Sequence, residues 1–390
     1  MRRRDLIGLA GWGAATLAGC ATLSRPDAED ITGDVARGLE PVRDAFLRSH
    51  ADDPGGAQLA VYRNGRRVVD LWTGTDPVKK QPFTAESLTT VMSCTKGWTA
   101  IVAHDLAQRG VIDIDAPVTR YWPEFAAKGK GGTTVAWLLS HRAGLPSFPA
   151  ASGIGWREMA DWDRCVHVLE QMEPAWKPGS AVQYHAVTFG FLVGEVIRRA
   201  SGRTVGMHIA EEYAKRLNLD LWIGHLPSDA EARYAPEFRL PLNAPPAPVD
   251  FLNSPAAHQS EQPAANGITN ARSMAKLYAA VIGPVDGPQI LRDDTIARAT
   301  LDVTKGLNAP DGTPRTARYG LGFNIWNPAR QEMLGPTSFG HAGAGGRQGF
   351  ACPRLGMAVA YVCTNMAWDS SRGPDPRWAC IDTLRRIVQA

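Results

Sequence analysis

Ser93 and Lys96 form a Ser-x-x-Lys pair within Val91-Met-Ser-Cys-Thr-Lys-Gly-Trp-Thr-Ala100. The residues that follow fit a buried helix. Trp98, Ile101, Val102 and Leu106 recur at helical spacing, and Gly110 is a natural stop. With Ser93 opening that helix, Lys96 shares its face one turn on. A lysine desolvated by such packing loses basicity and can take the serine proton. The expected chemistry is nucleophilic catalysis by a hydroxyl whose base lies in the same helical turn. Ser273-Met-Ala-Lys276 matches the same spacing. Asn270, Arg272 and Lys276 make its surroundings polar, so it reads as an exposed helix start with a solvated lysine.

Two other stretches supply partners for Ser93. Tyr184-His185-Ala186 precedes a helix beginning at Thr188. A phenol there relays a proton between serine and leaving group if nearby Lys96 favours its ionised form. Phe339-Gly-His-Ala-Gly-Ala-Gly-Gly346 sits on or beside a strand, and glycines let backbone approach a ligand closely. A strand N–H there, with that of Ser93, makes an oxyanion hole worth roughly 3 kcal/mol per donor. Taken singly, Tyr184 is equally an interface tyrosine and the glycine run a plain turn. His185 is as readily a structural loop histidine as one that tunes the site.

These side chains need a scaffold. The chain has 390 residues, enough for one large two-lobed domain, and a net charge of +3 with scattered basic residues, which argues against a nucleic-acid partner. No His-Glu-x-x-His or paired metal spacing occurs among the nine histidines, so no metal or cofactor is expected. No Gly-x-Ser-x-Gly elbow occurs either, which excludes the usual α/β-hydrolase signature. Arg2–Arg4, the apolar run Leu6–Ala18 and Leu17-Ala-Gly-Cys20 resemble an export signal with a lipobox, and Arg3-Arg4-Asp-Leu-Ile7 a twin-arginine signal. The expectation is a signal peptide over 1–20 with a lipid on Cys20, a tether over 21–30, and a periplasmic or extracellular protein anchored to a membrane. The other five cysteines do not make a disulfide framework. A hairpin turning at Pro353–Gly356 sets Cys352 opposite Met357, not Cys363.

Along the chain, periodicity predicts a helix over Ile31–Ser49, then strands Gln58–Arg63 and Arg66–Trp72 joined by Asn64-Gly65, a strong hairpin signal. Helices are expected over Thr134–His141, Trp156–Met172, Thr188–Ala200, Thr204–Leu217 and Ala271–Ile282. Pro227–Pro263 reads as a disordered insert or a loop covering a site. Strands follow at Tyr319–Trp326, Ser338–Ala342, Arg347–Cys352 and Met357–Thr364, then a helix from Pro376. Strands at both ends and helices between imply an α+β fold. One antiparallel sheet is built from both termini and covered by terminal helices, and a mainly helical lobe is inserted. The α/β lobe is about 31–92 with 265–390, the helical lobe about 93–264. A ligand would sit in the cleft between them, with Trp122, Trp156, Trp162 and Trp176 either lining an apolar pocket or packed as core.

The three motifs in this order resemble the serine β-lactamase and penicillin-binding-protein superfamily. The resemblance covers nearly all of residues 31–390. It extends to Asp115-Ala-Pro-Val118, Tyr121-Trp-Pro123, Leu138-Leu-Ser-His-Arg-Ala-Gly-Leu-Pro146 and Tyr319-Gly-Leu-Gly-Phe323. It is similar above all to the class C-related branch that includes the family VIII carboxylesterases. The resemblance implies a β-lactamase/transpeptidase-like fold, with Ser93 as nucleophile, Lys96 as base and Tyr184 as second proton carrier. It makes the N–H groups of Ser93 and Ala344 the oxyanion donors, and sets His185, Ala186, His341, Ala342 and Gly343 along the substrate.

Two departures bear on substrate. Ala186 stands where β-lactamases carry the Asn of Tyr-x-Asn, and His341-Ala-Gly343 replaces Lys-Thr-Gly. The amide for a β-lactam side chain and the lysine for a substrate carboxylate are both missing, and a histidine is mostly neutral at pH 7. Both changes point to small neutral esters. β-Lactamase or D,D-peptidase activity, acyl transfer, and a non-catalytic binding lipoprotein are the alternatives.

Overall fold

The computed structural model describes residues 32–51, 53–239, 248–315, 317–329, 333–366 and 375–389. The expected signal segment, the tether and Cys20 lie outside these residues.

Seven strands form the main sheet: β1 (Thr32–Val35), β2 (Ala57–Arg63), β3 (Arg66–Thr73), β4 (Asn324–Ile325), β5 (Phe339–Gly343), β6 (Arg347–Cys352) and β7 (Met357–Cys363). Their spatial order is β1-β3-β2-β7-β6-β5-β4, antiparallel throughout. The first and last thirds of the chain meet at β2 and β7, where Val61 faces Val359. Both faces of this pair are covered, as alternation along the strands requires. Leu59, Val61, Val359 and Tyr361 pack with the two terminal helices, α1 (Glu40–His50) and α7 (Ala379–Gln389). Ala60, Ala358, Ala360 and Val362 face the larger core shared with the helical lobe.

That lobe contains α2 (Cys94–Gln108), α3 (Val135–Leu139), α4 (Trp162–Gln171) and α5 (Thr188–Ser201); α6 (Ala271–Ile282) lies against β2, β6 and β7. Capping sets several helix starts. The side chains of Thr134, Asp161 and Asn270 accept from N–H groups in the first turns of α3, α4 and α6. Asn64 and Gly65 both adopt positive φ, as the β2–β3 hairpin requires. Cys352 faces Met357 across the β6–β7 hairpin.

Four expectations need correction. The segment Ile31–Ser49 is not one helix. Thr32–Val35 is an edge strand on β3, and α1 starts only after Gly38, with Pro41 in its first turn. Tyr319–Trp326 is mostly a turn, because Gly322 takes a φ of +89° and leaves two residues for β4. Pro227–Pro263 carries short helices at Ser228–Arg233, Pro248–Leu252 and Pro255–Gln259, with 240–247 outside the described residues. Ser273 is not an exposed cap. It is 7% exposed, in the first turn of α6, and its hydroxyl accepts from the Asp220 N–H at 2.9 Å.

Candidate active site

Helix α2 is buried nearly all round, from Cys94 to Leu106, as expected of a helix in the middle of a large protein. Its end is fixed by Gly110 at φ +77°, with Gly110 N–H donating to Ala107 O and Val111 N–H to Leu106 O, the paired bonds of a Schellman stop. Its start is unusual. Ser93 occupies the N-cap position but makes no side-chain capping bond. Its hydroxyl is therefore not spent on the helix. The preceding Met92, largely buried, adopts φ +50°, a strained value for a long side chain. The strain turns the chain sharply into the helix at Ser93, and sequence pattern gave no sign of it.

Lys96 is fully buried. Its Nζ lies 3.1 Å from Ser93 Oγ, 2.7 Å from Ala186 O and 2.9 Å from Ala264 O. Burial lowers the ammonium from 10.5 to about 7. A neutral amine has two N–H donors and one lone pair. Here the two carbonyls take both donors, so the lone pair is left for the Ser93 hydroxyl. Once protonated, the ammonium donates to all three oxygens without moving.

Tyr184 lines the same cleft as Ser93. Its ring lies 4.9 Å from Lys96 Nζ, 4.8 Å from the His141 ring and 6.0 Å from the His341 ring, and stacks 6.4 Å from Tyr319. The condition set from sequence, that Lys96 favour the ionised phenol, is not met. Burial raises its pKa well above the ordinary tyrosine value, and the neighbouring Ser93 side chain offsets only part of this. Tyr184 is thus a neutral phenol able to donate at neutral pH.

Ser93, Tyr184, His341, Ala342, Gly343 and Ala344 all line one cleft of about 750 Å³. His341 is 4% exposed and neutral, lowered to about 3 by burial and by Lys96. Its Nδ1 meets Ala342 O at 2.7 Å. His185 and Ala186 are not among the lining residues. The His185 ring is buried, takes the Leu145 N–H on Nε2 at 3.1 Å and meets Gln183 O through Nδ1 at 2.6 Å. It holds the Tyr184 loop in place. Ala186 acts through its carbonyl on Lys96 rather than through its side chain.

His141, from the Leu138–Pro146 motif, has φ +61°, takes the His185 N–H on Nδ1 and buttresses Tyr184. Its contact with Tyr184 depends on that backbone turn, which pattern alone did not reveal. Trp122 is core, and Trp162 packs on Phe191. Trp326 and Trp378 line the cleft instead of the four tryptophans considered from sequence. Among the described residues no cluster of His, Cys, Asp or Glu could hold a metal, and no helix is long and apolar enough to cross a membrane.

The Beta-lactamase family model matches residues 44–380. Esterase/beta-lactamase LipL of Mycobacterium tuberculosis is 35% identical over 345 residues, covering 79% of this chain and 76% of that protein. A beta-lactamase of Escherichia coli is 29% identical, over 57% of this chain and 55% of its own length. A family VIII carboxylesterase crystal structure superposes with a TM-score of 0.82 at 33% identity, over 92% of this chain and all of that one. A penicillin-binding protein homologue from Caulobacter crescentus gives 0.79 at 32% identity, again over 92% and 100%. The fold is β-lactamase/transpeptidase-like, and the chain belongs to the beta-lactamase family as a serine hydrolase of the esterase/β-lactamase superfamily.

Proposed function

We propose that the protein is a carboxylesterase-type hydrolase that cleaves small neutral esters through an acyl-enzyme on Ser93. The observation that carries this is the Lys96 amine, stripped of water, with both its donors engaged and its lone pair facing the Ser93 hydroxyl 3.1 Å away. In the first step the hydroxyl proton passes to Lys96 Nζ as Oγ attacks the ester carbonyl. The N–H groups of Ser93 and Ala344 receive the negative oxygen. Tyr184 gives its proton to the departing alkoxide and is reprotonated from Lys96. Water then attacks the acyl group, with the same groups working in reverse.

The preference for neutral substrates rests on the cleft. His341 is buried and uncharged. Arg318 lines the cleft, but its Nε is committed to Asp302 at 2.8 Å. Ile325, Trp326, Met333 and Trp378 supply apolar surface for an acyl or alcohol group. The names of LipL and of the carboxylesterase structure agree with ester chemistry. A fluorophosphonate should add its mass to Ser93 and abolish turnover of p-nitrophenyl esters, and Ser93→Ala should show neither. An adduct on another serine refutes the assignment. Nitrocefin turnover equal to ester turnover would favour a β-lactamase instead.

A further inference from the structure

The turn Ala344–Gly346 follows β5 and lines the cleft beside Ser93. Its three successive carbonyls are each held by a side chain from a later part of the chain. Arg347 Nη1 donates to Ala344 O at 2.9 Å, Arg377 Nη2 to Gly345 O at 2.9 Å, and Trp378 Nε1 to Gly346 O at 2.7 Å. The Cys363 thiol also donates to Gly345 O, at 3.2 Å.

The two arginines are themselves fixed. Arg347 is fully buried against fully buried Glu237, with an ion contact of 2.6 Å. Arg377 grips Asp375 through Nε and Nη2, at 2.9 Å to Oδ1 and 2.7 Å to Oδ2, and reaches Asn365 O at 2.9 Å. Gly345 sits at φ +76°, and a Cβ there would collide with Arg347 and Met366. The three tied carbonyls fix the peptide planes that follow Ala344, and so hold the turn against which the Ala344 N–H is set.

We propose that Arg377 is a positioning residue that, with Arg347 and Trp378, locks this turn so that the Ala344 N–H stays aimed at the developing oxyanion. The Gly343–Ala344 peptide, which carries that N–H, is held on its other side by the pairing of Gly343 with Arg347 across β5 and β6. The inference rests on the acyl-enzyme reading above. A loosened oxyanion hole weakens the tetrahedral state more than the bound ester, so the cost falls on kcat and not on KM.

The test uses Arg377→Lys in the full chain. Lysine keeps the charge but cannot bridge Asp375 and Gly345 O together. The expected result is a kcat for p-nitrophenyl butyrate lower by about 10- to 100-fold, with KM within about twofold. The inhibition constant of phenylboronic acid, a tetrahedral mimic, should rise in parallel with the fall in kcat. Trp378→Phe, which removes the N–H and keeps an aromatic ring, should lower kcat by about 3- to 10-fold and weaken the boronate in parallel; because Trp378 also lines the cleft, its KM is not part of the test. An unchanged kcat in folded Arg377→Lys, or a loss of kcat with unchanged boronate affinity, overturns the proposal. If Arg377→Lys does not fold, wild-type kcat and boronate affinity in Trp378→Phe overturn it alone. Wild-type protein that neither reacts with fluorophosphonate at Ser93 nor hydrolyses esters would sink the acyl-enzyme reading instead, a different and recognisable failure.

Discussion

Lys96 sets a pH dependence that can be worked out in advance. Its amine titrates at about 7 instead of 10.5 because burial penalises the charge. At pH 7 about half of the molecules carry a neutral base, against about one in 3,000 for an unshifted lysine. Below 7 the rate should fall about tenfold per unit, and above 8 it should level off. Between pH 6 and pH 8 the neutral fraction climbs from about 0.09 to about 0.91, so kcat/KM should rise about tenfold. An unshifted lysine would instead give about a 100-fold rise with no plateau.

The neighbouring groups leave this limb clean. Burial takes His141 well below its ordinary value, His185 to about 4 and His341 to about 3, and Tyr184 stays protonated. Glu237, raised by burial to about 7, is the rival nearest that midpoint; Lys130, lowered to about 8, lies away from the cleft. The assay is kcat/KM for p-nitrophenyl butyrate from pH 5.5 to 9, corrected for spontaneous hydrolysis, in wild type and Glu237→Gln. A flat profile, a rise continuing past pH 9, or a limb that vanishes in Glu237→Gln refutes the assignment of the base.

The same amine makes a stability prediction. The unfolded chain holds the Lys96 proton up to about 10.5 and the native state only up to about 7, so in that window the unfolded state binds more protons. Native stability relative to Lys96→Met should therefore increase with pH, by about 1.4 kcal/mol between pH 8 and pH 9. Urea denaturation of both proteins at both pH values measures this, and a constant difference would refute it. The export reading, argued from Arg2–Cys20 alone, predicts incorporation of labelled palmitate in a bacterial host and its loss in Cys20→Ala; no label in the wild type rules out the lipid anchor.

The legible parts of this molecule were those encoded over a few residues. Ser93 and Lys96 lie within one helical turn, Asn64-Gly65 specifies its own hairpin, and Pro353–Gly356 sets a register that keeps Cys352 from Cys363. The illegible parts depend on distant partners. Thr32–Val35 is a strand only because β3 offers an edge, and its alternation is too short to compete with the helical spacing of Val35, Leu39, Val42 and Phe46. A relay through Tyr184 was conditional on Lys96 favouring the ionised phenol, whereas burial keeps the phenol protonated. The grip of Arg377 and Trp378 on a turn 32 residues earlier has no local signal at all.

The join between β2 and β7 has a consequence for how the molecule comes to life. Ala57 must find Cys363, so the loop closed by that contact spans most of the chain, and closure of this kind is slow and late in folding. The serine and its amine belong to one helix and come together early. The turn that would stabilise the reacting oxygen is completed by side chains near the far terminus. A half-folded molecule thus holds the serine and its amine side by side but unprimed, because the burial and the Ala186 and Ala264 carbonyls that set the amine, like the Arg377 and Trp378 bonds to the turn, arrive only with long-range packing.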